Sequence, residues 1–217
     1  MEMIKVKDRG HLISIIKESA NDADLNHLDV SEVTDMYGLF FMSDFNGDIS
    51  KWNTSNVTNM RIMFYCSKFK GDISGWDVSK VECMSSAFQD SLFNGDISKW
   101  DVSNVIDMNA MFLGSKFNGD ISEWNVSNVS DMAYMFSESQ FNGDISRWNV
   151  SNAKDMASMF RSSIFTGDIS KWNTSNLVRI SRIFKNTSFD GDISNWDVSK
   201  CKYIDPETRR ILKSHKK

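Results

Sequence analysis

Residues 45–67 read FNGDISKWNTSNVTNMRIMFYCS, and nearly the same line returns six more times down the chain at a spacing of 24 residues. Phe45, Phe69, Phe93, Phe117, Phe141, Phe165 and Phe189 keep the interval, as do Trp52, Trp76, Trp100, Trp124, Trp148, Trp172 and Trp196, which are all seven tryptophans. A fixed period in this range predicts a solenoid built from one repeated coil.

Each unit carries apolar residues at set places, here Phe45, Ile49, Trp52, Thr54, Val57, Met60, Met63 and Phe64. They are too few to close a core alone but enough to form one slice of a continuous core. Ile49, Trp52 and Thr54 follow an L-x-x-L-x-L spacing in which Trp52 and Thr54 point inward about an outward Asn53, predicting a short strand. Val57, Met60, Met63 and Phe64 follow a helical or 3₁₀ period, with the repeated Ser55 column placed to cap the first amides. One coil is therefore expected to run strand, turn, short helix, return.

The line F-N-G-D-I-S-x-W-[DN]-[VT]-S-N-V-x-D-M-x-x-M-F resembles the short repeat of the BspA-like leucine-rich-repeat surface proteins, a set that includes mycoplasma lipoproteins. The resemblance runs from Asp24 to about Ile204. It implies a leucine-rich-repeat-like α/β solenoid, right-handed, used for adhesion or partner binding, and it carries over no catalytic residue.

Both ends stay in register. Ile4 and Val6 fall in the Trp52 and Thr54 columns by way of Leu28 and Val30, so residues 1–23 read as a capping coil with a strand around Met3 to Lys5 and a helix over about His11 to Ser19. Repeats occupy residues 24–204, and 205–217 form a capping helix: Asp205 as N-cap, Pro206 at the first helical position, Glu207 in the first turn, and Lys213, His215, Lys216 and Lys217 at its end. About nine strands at 4.7 to 4.9 Å make a rod on the order of 40 Å long.

With 41% hydrophobic residues, 25% charged residues and a net charge of -4, the chain is an ordinary globular composition with no call for nucleic acid as a partner. No secretory signal or membrane span is readable, which places the chain in the cytoplasm as written, or at the surface or outside the cell if export sequences have been removed. Cys66, Cys83 and Cys201 have no metal spacing and suit a reducing compartment.

The Asp48 column sets one carboxylate per coil on a line. It reads as a turn, in which Gly47 takes a positive φ and Asp48 accepts backbone N–H groups, or as a calcium ladder. The Asn56 column reads as a ladder that satisfies loop backbone groups. No Ser/His/Asp or paired-acid arrangement stands out, so the expectation is a non-enzymatic protein without cofactor or metal. Two surfaces compete for a protein partner. One is the expected strand face, carrying Lys51, Asn53, Asp77, Lys99, Asp101, Glu123, Arg147 and Lys171; the other is an apolar patch of Phe41, Met42, Ile62, Tyr65 and Leu113. Adhesin, intracellular adaptor or inhibitor, and structural or self-associating repeat are the open roles.

Overall fold

In the computed structural model, which describes residues 3–214, parallel bridges join residues one repeat apart. Asp35 pairs with Asn59, Asn59 with Cys83, Cys83 with Asp107, and so on through Asp131 and Asp155 to Arg179. Each 24-residue unit is thus one coil lying on the next. The strip that carries the pairing is not the expected strand. It begins at the Thr58 column and runs to the Lys68 column, and we call it the ladder strip.

Its backbone is divided by parity. The amides of Met60, Ile62, Phe64 and Cys66 donate to the carbonyls of Cys83, Ser85, Ala87 and Gln89 in the next coil at 2.8–2.9 Å. Those of Met63, Tyr65 and Ser67 donate within the coil, to Met60, Ile62 and Phe64 at 3.1–3.3 Å. Consecutive turns therefore replace the helix or 3₁₀ segment expected over Val57 to Phe64: the i→i−3 bonds of a 3₁₀ turn form, but only at every second amide. A helix would send the Phe64 amide to the Met60 carbonyl, and the left-handed φ of 49° at Ile62 and 50° at Cys66 breaks the helical path twice. Gly38 and Gly114 hold the same conformation in the same two columns.

The strand expected at Ile49 to Thr54 is also absent. Strand pairing forms in those columns only at the first coils, where β1 (Ile4–Lys5) lies parallel to β2 (Leu28–Asp29) with Ile4 opposite Leu28, the register read from the sequence. Further along, the rings of Trp52 and Trp76 stack with centroids 6.1 Å apart. Indole nitrogen takes over the link between coils: Trp76 Nε1 donates to the Ile49 carbonyl at 3.1 Å, and every later tryptophan repeats the bond 27 residues back.

One apolar cluster runs the length of the stack, from Val6 to Leu212. The Phe64 column packs at 5.4 Å between Phe64 and Phe88, whereas Phe45 and Phe69 stand 6.5 Å apart. The rings are therefore more closely spaced in the Phe64 column than in the Phe45 column. Buried Thr54 and Thr174 keep their hydroxyls bonded to the carbonyls of Asp77 and Asp197.

Glycine in the Gly47 column is required for a different reason from the one expected. It has no positive φ. At Gly119 a Cβ would stand 2.9 Å from the Phe117 ring, so the residue is glycine because the phenylalanine two places earlier lies flat on it.

Helix α1 (Arg9–Glu18) covers the first coil with Leu12 and Ile16, capped by Asp8 Oδ1 on the His11 amide at 2.9 Å. At the other end α2 (Pro206–Ser214) buries Ile211 and Leu212. Asp205 is its cap, with Oδ1 accepting from the Thr208 amide at 3.2 Å and Oδ2 from the Arg182 amide at 2.5 Å. The second bond ends the ladder. His215, Lys216 and Lys217 lie outside the described residues.

Candidate interaction face

The two candidate surfaces differ in what their side chains are already doing. On the Trp side, Lys51, Asn53, Asp77, Lys99, Asp101, Glu123, Arg147 and Lys171 are all exposed. Three of them are turn acceptors: Asn53 Oδ1 takes the Ser55 amide, and Asp77 and Asp101 Oδ1 take the amides of Ser79 and Ser103, at 3.0–3.2 Å. The bond from Ser79, side chain and amide, holds the Asp77 carboxyl below its ordinary range. The Asp48 column does the same work, with Asp48 Oδ1 2.9 Å from the Ser50 amide. Asn104, Asn128 and Asn152 each donate Nδ2 to a serine carbonyl of the preceding coil at 2.7 Å. Among the described residues, no three His, Cys, Asp or Glu side chains gather to hold a metal ion.

The ladder strip is different in kind. Between Tyr37 and Tyr203, every large apolar side chain left exposed lies in it: Tyr37, Phe41, Met42, Leu92, Ile106, Tyr134, Ile164, Val178 and Tyr203, with Met42 66% and Ile164 59% exposed. Phe41 and Met42 of the expected apolar patch are exposed, while Ile62, Tyr65 and Leu113 are half-buried in the same strip. Tyr65 stacks on Phe41 with ring centroids 5.2 Å apart. Beside them Arg9 lies 5.3 Å over the Tyr37 ring and gives Nε to the Tyr37 carbonyl at 2.6 Å. A cleft of about 390 Å³ opens between α1 and the first coil, lined by Ile13, Ile16, Leu39, Phe41 and Phe45.

Sequence reasoning divided this strip because it read the columns as a helix, and so missed Ile106, Tyr134, Ile164 and Val178. The signal available was internal variation. The Thr58 column alone runs Thr58, Glu82, Ile106, Ser130, Lys154, Val178, Lys202, while over the same coils the Asp48 and Trp52 columns repeat without change.

A column of carboxylates crosses the middle of the strip at the bridge position. Asp107, Asp131 and Asp155 are in register, and each uses Oδ1 to accept the amide two residues on, at 2.8–2.9 Å. Asp155 is 6% exposed and its Oδ2 takes Arg179 Nε at 2.6 Å. At Asp131, burial pushes the carboxyl pKa up, with Asp155 and Asp107 adding to it against the bonds from Ala133 and Asn109. Cys83, Cys66 and Cys201 are free thiols, and burial raises the pKa of each.

No helix among the described residues is long and apolar enough to cross a membrane. No curated protein and no solved structure matches the chain. Three overlapping stretches, residues 11–119, 65–163 and 114–208, match one family profile, so the chain belongs to the repeat family described as Mycoplasma protein of unknown function, DUF285.

Proposed function

We propose that the chain is a leucine-rich-repeat-like solenoid acting as a non-enzymatic binding module, and that its protein partner docks on the ladder strip. One observation carries this reading: the longest run of positions that differ from coil to coil, and the large apolar side chains left in solvent between Tyr37 and Tyr203, fall on the same strip, whereas the Trp side varies chiefly at the Lys51 column. The uniform columns are occupied in building the coil. Variation on one face of a repeat stack is what a specific partner requires, since uniform columns offer the same contact at every coil.

The test compares capture of a partner from cell extract by three proteins. The native chain and a variant of the Trp side (Lys51→Glu, Lys99→Glu, Lys171→Glu) recover the same partner, the latter with slower association. A strip variant (Phe41→Ser, Tyr65→Ser, Ile106→Ser) loses it through faster dissociation. Loss with the charge variant alone moves the site to the Trp side, and equal recovery by all three leaves a structural role.

A further inference from the structure

The centre of the ladder strip has a charge as well as an apolar character. From Glu82 to Glu138 it carries Glu82, Asp90, Asp107, Asp131 and Glu138 against Lys116, and of these Glu138 is paired with Arg161 of the next coil at 2.6 Å. Exposed Ile106 and Tyr134 lie among them. The molecule supplies its own example of how a cation sits here. Arg179 occupies the bridge column one coil beyond Asp155 and lays its guanidinium on that carboxylate, with Nε 2.6 Å and Nη2 2.5 Å from Oδ2. Asp131 has the same orientation, its Oδ1 spent on the Ala133 amide at 2.9 Å. Its in-register neighbours are two more carboxylates, and its Oδ2 has no hydrogen-bond partner among the described residues.

A second copy laid antiparallel about the coil of Asp107 would set the coil of Asp90 against the coil of Asp131, acid on acid. Resting on the binding role proposed above, we infer that the partner presents a cationic protein segment whose arginine or lysine side chains occupy the Asp107–Asp131 stretch as Arg179 occupies Asp155, with an apolar side chain anchored against Phe41 and Tyr65. Two to four coils separate the anchor from the carboxylates, roughly 10–20 Å along the stack at strand spacing, which an extended segment covers in about three to six residues. Planar guanidinium pairs with carboxylate in two-pronged fashion, so arginine is favoured over lysine.

The probe is a synthetic labelled peptide carrying one tryptophan and, about four residues on, two arginines; in the control peptides the arginines become glutamates or neutral citrullines. The native chain binds the arginine peptide at least about 10-fold tighter than either control, with an affinity that weakens as salt is added. Asp107→Asn with Asp131→Asn loses that preference, while Glu123→Gln on the Trp side keeps it. Asparagine is tolerated in this column, because Asn59 already caps the Arg61 amide there at 3.0 Å. If the asparagine pair melts below the native chain, Asp131→Asn alone, which leaves the Asp107 carboxylate in place, makes the same test with a smaller loss of preference. Equal binding of the three peptides, no binding, or equal loss with Glu123→Gln overturns the inference. Preference for the glutamate peptide overturns it too, yet leaves the strip as the docking face; only the capture experiment removes that.

Discussion

Trp124 shows what one residue contributes to the stack. Its ring is 3% exposed and its Nε1 reaches the Ile97 carbonyl at 3.1 Å. Neighbouring coils on both sides hold the space open, so Trp124→Ala costs roughly 3–5 kcal/mol, measured by denaturant titration. Trp124→Phe keeps part of the ring and isolates the lost hydrogen bond at about 1 kcal/mol, plus whatever the smaller ring leaves unfilled. Asp131 works in the opposite sense. Its folded-state pKa is raised, chiefly by burial, so the stability it contributes is present below the unfolded value of about 3.9 and is lost as pH rises through the folded value. Asp131→Asn therefore raises the melting temperature at neutral pH and leaves it nearly unchanged in acid. A melting temperature lowered at both pH values shows instead that the carboxylate is needed for the coil.

At the scale of the element, the turn strip stores strain that can be relieved. Ser162 has a left-handed φ of 54°, a conformation that disfavours L-residues by roughly 1–2 kcal/mol, while its amide donates to the Lys185 carbonyl at 2.8 Å. Ser162→Gly keeps that bond, gives back about 0.5–1 kcal/mol through the freer unfolded chain, and is expected to stabilise by a fraction of a kcal/mol to about 1 kcal/mol, read as a melting temperature a few degrees higher. Gly114 already shows glycine at home in that column. The same strip marks where the sequence was legible and where it was not. Period, buried columns, the Ile4–Leu28 register and the Asp205 cap could all be read, because each follows from which residues repeat and which are apolar. The local path could not. Met60, Met63 and Phe64 are inward in a helix and equally inward in a run of turns, and only the choice of hydrogen-bond partner separates the two. That choice belongs to the neighbouring coil. The indole bond from Trp76 to the Ile49 carbonyl is likewise a property of two coils together.

For the whole molecule, near-identical coils make stability almost a sum over coils and their contacts. Excision of residues 117–140 joins Lys116 to Phe141 with every column kept, so the shortened chain is expected to fold to the same spectrum, with a denaturant m-value lower in proportion to the surface lost. A chain that fails to fold after this excision would mean that the central coils are not interchangeable. The parity of the ladder amides carries this further. Between the Met60 and Ser67 columns, the even-numbered amides reach to the next coil while those of Met63, Tyr65 and Ser67 close turns at home, so adding or deleting a single residue ahead of them exchanges the two sets and aims these donors at the wrong acceptors. Change by a full repeat leaves them all in place. Evolution of such a chain is therefore quantised: whole coils can come and go, lengthening or shortening the docking surface in steps, while the reading of each coil's variable face proceeds by substitution alone.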